Sequence, residues 1–368
     1  MTTGLAAAAL AAAGAWSTIA QNVATESTGI SFNADGKTGY LAGGTNGVGA
    51  DAQKSTDGGL TWTATNDPAG LLYLDVTSYG NNVAVTGTLS AIYSNDGGVT
   101  FGSSAGYGAV AQCVRNFGPH DTPAGFAFVG SDFNNSNVVG VSTDDGASYT
   151  QSVITSLTTD ARYGAFPSTS VWYISAGTWP NNANALRGAK RGGKAAAGHK
   201  AGARAAAKPT GFYNAEIAVT TDGGATFNTV FSRQHWAYLN GIDCLDTTRC
   251  CVAAENDNAD GFAAVLCTFD SGATWNQTLL VNTTGASMLD LRVVGTDGYW
   301  AVGGVMGSFG PSEAFFYYSG DAGMTWTQDS TISGYYVTSV DCAQGTQECW
   351  ATMLDALQSA SVAYASTI

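Results

Sequence analysis

Short apolar runs alternate with polar, glycine-rich turns along the whole chain, and no run reaches the roughly 18–20 apolar residues of a membrane helix. Seven runs share one form, an apolar strand that tends to stop at Ala or Val followed by Gly. They lie at 39–43, 82–87, 125–130, 171–177, 251–254, 298–303 and 349–352. Each is preceded by another β-type run, such as Leu74-Asp75-Val76-Thr77-Ser78 or Ser339-Val340-Asp341-Cys342. All but the last lead through a third run, such as Ala91-Ile92-Tyr93, into a repeated octapeptide, and a fourth run follows its final aromatic. The pattern predicts units of four short strands. The chain ends on a third run, 362–366, and begins with 16–20, which looks like a fourth. The N-terminal strand is therefore expected to complete the last unit, since an unfinished unit leaves strand edges unpaired.

The octapeptide is Ser55-Thr56-Asp57-Gly58-Gly59-Leu60-Thr61-Trp62, and it returns around Asp96, Asp144, Asp222, Asp270 and Asp321. Its consensus is Ser/Thr-x-Asp-x-Gly-x-Thr/Ser-aromatic. The Asp side chain accepts backbone N–H bonds in a tight turn, Gly takes the positive φ, and the aromatic carries apolar area into the packing beyond. These six acids are read as turn formers rather than ligands. The octapeptide resembles the Asp-box (BNR repeat) of the sialidase-like superfamily. The resemblance implies an all-β fold, a seven-bladed β-propeller with four antiparallel strands per blade. The pairing of Gly-aromatic-Ala-Val-Gly strands with Asp-Gly-Gly turns, at 39–43 with 55–62 and at 298–303 with 319–326, is most similar to photosystem II assembly-factor propellers. That likeness implies a non-catalytic binding protein of the thylakoid lumen.

Composition agrees with many turns and a large core: 48 Gly, 11% aromatic and only 11% charged residues. The net charge is −14. Seven of the fourteen Lys/Arg fall between Arg187 and Lys208, where there is no acid, so the rest of the chain sets seven bases against all 28 carboxylates. Such an acidic body repels nucleic acid and anionic membranes, and a monomer is expected. The basic Ala/Gly-rich tract at about 180–211 cannot pack a core. It reads as a mobile loop: a solvated linker, an anion-binding arm, or an arm folded over the acidic body. Residues 1–15 read as an N-terminal extension or signal-like segment, and 16–368 as one propeller.

Of the seven cysteines, Cys244/Cys250 and Cys342/Cys349 occupy equivalent hairpin positions, and Cys251 and Cys267 flank the next hairpin, leaving Cys113. Disulfides and buried thiols both fit. The absence of Cys-x-x-Cys spacing speaks against metal, and no cofactor is implied. Sequons at Asn134, Asn276 and Asn282 agree with a secreted or organelle-lumen location.

A sialidase needs an arginine cluster and a Phe/Tyr-Arg-Ile-Pro signature, which is absent. A glycan-processing hydrolase on the same scaffold needs only two suitably spaced carboxylates and stays open as the alternative. The face carrying the irregular loops is the expected binding face for a protein or glycan. Its candidate residues are Asp132, Trp179, His235, Trp236, Glu255, Asp257 and Asp260. Glu255 to Asp260 reads as a solvated acidic turn that lacks a full calcium-loop pattern.

Overall fold

The computed structural model describes residues 15–25, 28–45, 49–68, 70–179, 212–256, 261–305 and 312–366. The signal-like segment at 1–14, the insertion at 180–211, Asp257 and Asp260 lie outside the described residues. Within them the chain is all β-strand. β1 (Ser17–Thr25) stands apart in sequence from the sheet it joins. β2 (Gly29–Phe32), β3 (Gly39–Thr45), β4 (Gly49–Ser55) and β5 (Thr63–Ala64) form the first sheet in chain order. β6 (Tyr73–Tyr79), β7 (Asn82–Gly87), β8 (Ala91–Ser94) and β9 (Gly102–Ser103) form the next. β10 (Ala109–Phe117), β11 (Gly125–Asp132), β12 (Asn137–Ser142) and β13 (Thr150–Val153) follow. Then come β14 (Asp160–Ala165), β15 (Trp172–Thr178), β16 (Asn214–Thr220) and β17 (Asn228–Gln234).

β18 (Tyr238–Cys244), β19 (Cys250–Asn256), β20 (Phe262–Thr268) and β21 (Asn276–Val281) pair antiparallel in order. β22 (Ala286–Val294), β23 (Gly298–Val305), β24 (Glu313–Ser319) and β25 (Thr327–Ser333) do the same. A single bridge, Glu255 to Ser287, joins these two groups into one eight-stranded sheet. The last sheet has the order β1-β28-β27-β26, from β26 (Tyr335–Cys342), β27 (Glu348–Asp355) and β28 (Ser359–Ser366). Ser17 pairs with Tyr364 and Ala24 with Ala360, so the two ends of the chain share a sheet.

First strands touch in sequence from β2 through β6, β10, β14, β18 and β22 to β26, and β26 touches β2. The sheets therefore stand radially in a closed ring. Burial follows this geometry: β7 and β23 are almost wholly buried, while β17, β21 and β25 are largely exposed. Second strands are covered by a neighbouring sheet on each face, which is why they read as continuous apolar runs rather than alternating ones. The core lies between sheets. Tyr173 and Ile217 pack with Leu239 and Val252, and Trp300 and Phe316 pack with Val337 and Met353.

The Gly that closes so many second strands has a steric cause. Six of the seven first–second strand pairs carry a register shift, as between Tyr73 and Asp75 or Met288 and Asp290. The bulged first strand presses on its partner, so a Cβ on Gly87 would sit 2.0 Å from the Leu72 carbonyl oxygen.

The repeated octapeptide forms one hydrogen-bonded turn in six places. In the first copy the Ser55 hydroxyl donates to Asp57 Oδ1 at 2.8 Å and accepts from Gly59 N at 2.9 Å. Thr61 N donates to the same oxygen at 2.9 Å, and its hydroxyl to Oδ2 at 2.6 Å. Asp96, Asp144, Asp222, Asp270 and Asp321 repeat the arrangement. These bonds hold the Asp57 and Asp222 carboxyls down to about 2. The second turn glycine also abuts another sheet: Gly98, at φ +75, leaves no room for a Cβ beside the Tyr40 ring.

The cysteines form the bonds Cys244–Cys250, Cys251–Cys267 and Cys342–Cys349, while Cys113 is a buried thiol. Among the described residues no helix is long and apolar enough to cross a membrane.

Candidate binding site

The bulges aim ionisable side chains of the first strands at the centre of the ring. Asp75 Oδ2 accepts the Val114 N–H of the next first strand at 3.0 Å, and Asp243 Oδ2 accepts that of Val293 at 3.0 Å. Asp290 Oδ2 accepts from Val340 N at 3.2 Å, and Asp341 Oδ2 from Phe32 N at 2.8 Å. Four seams of the ring are thus tied by one device, an inner Asp reaching forward to the neighbouring backbone. Arg115 pairs with Asp75, and Arg292 lies 3.2 Å from Asp290 and 3.6 Å from Asp341.

Burial pushes the Asp341 carboxyl up to about 6, against the opposing pull of Arg292. Burial likewise raises Asp75, opposed by Arg115. Burial acts to lower the Arg115 guanidinium, but its carboxylate neighbours, Asp75 first, carry it well above its ordinary value. Beside this cluster lies a cavity of about 140 Å³, lined by Arg115, Asn116, His120, Arg292 and the turns between first and second strands. His120 Nε2 reaches the Cys244 carbonyl at 2.9 Å. The cavity is on the face of the octapeptide turns, which hydrogen-bond to those same first–second turns, as Gly97 N does to Asn81 O. Its carboxylates are occupied in tying strands together, which is a structural use and not that of a free acid–base pair.

Sequence reasoning passed over this cluster. Asp75 and Asp341 were visible as acids inside apolar runs, an expensive placement that itself signals a partner.

On the loop face, Trp179 and His235 each pack on an aromatic residue of the 212–213 segment. Trp179 packs edge-on against Tyr213 and Tyr238, with centroids 5.2 and 5.5 Å away. His235 is exposed, stands at φ +57, and stacks on Phe212 at 3.7 Å with an interplanar angle of 17°. Phe212 is 60% exposed. Trp236 corrects the expectation of an open contact residue: only 7% exposed, it packs in the core with Arg233 over its ring at 4.6 Å. Glu255 is a second correction. It is fully buried in β19, opposite Tyr238, because the strand runs on to Asn256 before any turn begins. Asp132 lies in a different turn, where its carboxylate caps Asn134 N and Ser136 N at 2.8 Å each. Asn134, Asn276 and Asn282 are all exposed. Among the described residues no group of three His, Cys, Asp or Glu is placed to hold a metal.

No protein-family model matches the chain, and no curated protein is similar to it. Solved structures are. The structure described as YCF48 bound to D1 peptide superposes with a TM-score of 0.60 at 15% identity, over 98% of this chain and 99% of that one. YCF48 from Cyanidioschyzon merolae gives 0.53 at 16% identity, over 96% and 98%. The β-propeller domain of Myceliophteria thermophila Cps50 (Swd1) gives 0.57 at 8% identity, over 96% and 100%. The fold is a β-propeller. Its radial sheets are the blades, and β1 is the strand that completes the last of them.

Proposed function

We propose that this propeller is a non-catalytic binding protein that presents its loop face to a protein partner, in the manner of a photosystem II assembly factor. The octapeptide turns are Asp-boxes, and the two halves of the eight-stranded sheet count as separate blades, making seven. The observation that carries the functional reading is the Phe212–His235 stack, one residue along the chain from Tyr213, on which Trp179 packs. Exposed aromatic side chains beside a packed base are what protein-binding hot spots are made of. A left-handed histidine held against an exposed ring is backbone strain kept where contact is made. Support also comes from the superposition on a propeller bound to a D1 peptide. The three disulfides and exposed sequon asparagines suit a secreted or lumenal glycoprotein.

Titration calorimetry with D1 peptides tests the reading. Saturable binding is expected, and the Phe212→Ala/His235→Ala double variant should lose it while keeping the wild-type Tm. Peptide binding untouched by that variant would move the site elsewhere. Turnover of chromogenic glycosides without peptide binding would replace the reading with the hydrolase one.

A further inference from the structure

A second cavity among the described residues lies away from both places considered so far. It measures about 460 Å³, within the range of ligand-sized pockets, and lies at the loop-face end of the β6–β9 blade. Its walls include Tyr73, Ile92 and Tyr107, and Leu89 stands at its rim. Leu89 is held at φ +63 and is 47% exposed, so a strained residue offers a large apolar side chain to solvent. Phe133, 65% exposed, lies beside the lining residue Gly108 and extends the apolar rim.

We propose that this cavity is a second docking site, which takes an uncharged side chain, such as Leu, Phe or Tyr, of an extended peptide segment. The proposal rests on the reading of a polypeptide partner. Three features select the occupant. Apart from the tyrosine hydroxyls, no ionisable side chain among the described residues lines the cavity, so a charged anchor would be desolvated without a counter-ion. The wall hydroxyls are already used, Tyr73 OH donating to the Pro68 carbonyl at 2.7 Å and Tyr107 OH to the Gly87 carbonyl at 2.6 Å, so neither is free to bind a charged anchor. Tyr73 and Tyr107 are 0% and 4% exposed, so neither wall ring offers an open face on which a sugar could stack, and the exposed ring, Phe133, stands at the rim.

The test uses the full chain and end-blocked, fluorescein-labelled nonapeptides of Gly and Ser with a central Leu, Phe, Tyr, Lys or Asp, read by anisotropy. The Leu, Phe and Tyr peptides should bind more tightly than the Lys and Asp ones. Ser103→Trp, an exposed lining position, should fill the cavity and weaken them by about tenfold or more. Leu89→Gly should also weaken binding, yet melt at or above the wild type, because Gly accepts the left-handed φ. Equal binding of charged and uncharged peptides, or an unaffected Ser103→Trp protein, overturns the proposal and leaves a polypeptide partner standing elsewhere. If no peptide binds, or cellobiose binds instead with loss in Ser103→Trp, the peptide occupant fails, while the polypeptide reading stands or falls with the D1-peptide titration.

Discussion

Arg115 Nη2 lies 3.8 Å from Asp290 Oδ1, so a side chain from β10 meets one from β22, three first strands further round the ring. The same guanidinium pairs with Asp75 and donates to the Val114 carbonyl at 2.8 Å. One cation thereby holds two of the carboxylates that tie seams. Removing one partner of a buried ion pair leaves the other charge uncompensated, which typically costs about 3–5 kcal/mol. Arg115→Leu is expected to lower unfolding stability by that order in urea titrations, with an unchanged m-value. A loss under about 1 kcal/mol would show that the centre of the ring is solvated.

Asp341 on one side, and Asp57 and Asp222 on the other, carry opposite pH signs. The folded Asp341 carboxyl, raised to about 6, holds its proton where the unfolded one has lost it. Its share of stability therefore falls as pH rises through about 4 to 6, and the cost is absent below that window. The octapeptide acids Asp57 and Asp222, held near 2, contribute stability above their unfolded pKa that is lost as pH falls from about 4 toward 2. Tm should rise from pH 7 to pH 5 and drop below pH 4. Asp341→Asn should flatten the first limb and leave the second. An identical slope between pH 7 and 5 in wild type and variant would remove Asp341 as its source.

The octapeptide aspartates spend their carboxylates on bonds within their own turns. Asp57→Ala should lower Tm, because Thr61 N, the Thr61 hydroxyl and the Ser55 hydroxyl lose their acceptor. Asp57→Asn keeps one acceptor oxygen and should lose less. D1-peptide affinity should not change in either variant. Lost affinity at unchanged Tm would reverse the assignment.

What could be read beforehand depended on range. The octapeptide turn closes within five residues, so its chemistry is written locally and each copy names its own partners. The fusion of the two chain ends was legible because a third strand without a fourth, and a fourth without a third, complement each other. The inner aspartates were not, because Asp75 meets Val114 at a separation of 39 residues and Asp341 meets Phe32 at 309. Glu255 misled for a different reason. It begins the run of acids and amides that ends at Asp260, and composition alone cannot say that the strand has two residues left.

The disulfides carry a redox prediction. Non-reducing peptide mapping should recover Cys244–Cys250, Cys251–Cys267 and Cys342–Cys349. Burial pushes the Cys113 thiol up to about 11, so it should alkylate only after unfolding. Replacing Cys251 and Cys267 together by Ser should cost about 2–4 kcal/mol. Part of that cost has a local origin, since Gly323 of the neighbouring Asp-box packs directly on this bond. All six cysteines free in native material would place the protein in a reducing compartment.

Trp16 is the residue on which closure of the ring can be tested most directly. It immediately precedes β1, as Trp326 precedes β25, and so takes the place of an octapeptide aromatic where the sequence has no octapeptide. Only 4% exposed, it stacks on Phe316 at 4.4 Å and meets Trp300 edge-on at 5.3 Å. It therefore fastens the N-terminal strand of the last blade to the blade before it. Truncating a buried Trp to Ala typically costs about 3–5 kcal/mol, in lost burial and in the cavity left behind. For a chain of this size each kcal/mol lowers Tm by about 2–4 °C. Trp16→Ala should show that loss, and hydrogen exchange should rise first in β1 and β28, which lose their anchor together. Trp16→Phe should recover much of it, because the stack survives and the indole N–H, which has no partner, disappears. An unchanged midpoint in Trp16→Ala, with β1 amides still protected, would show that strand pairing alone closes the ring.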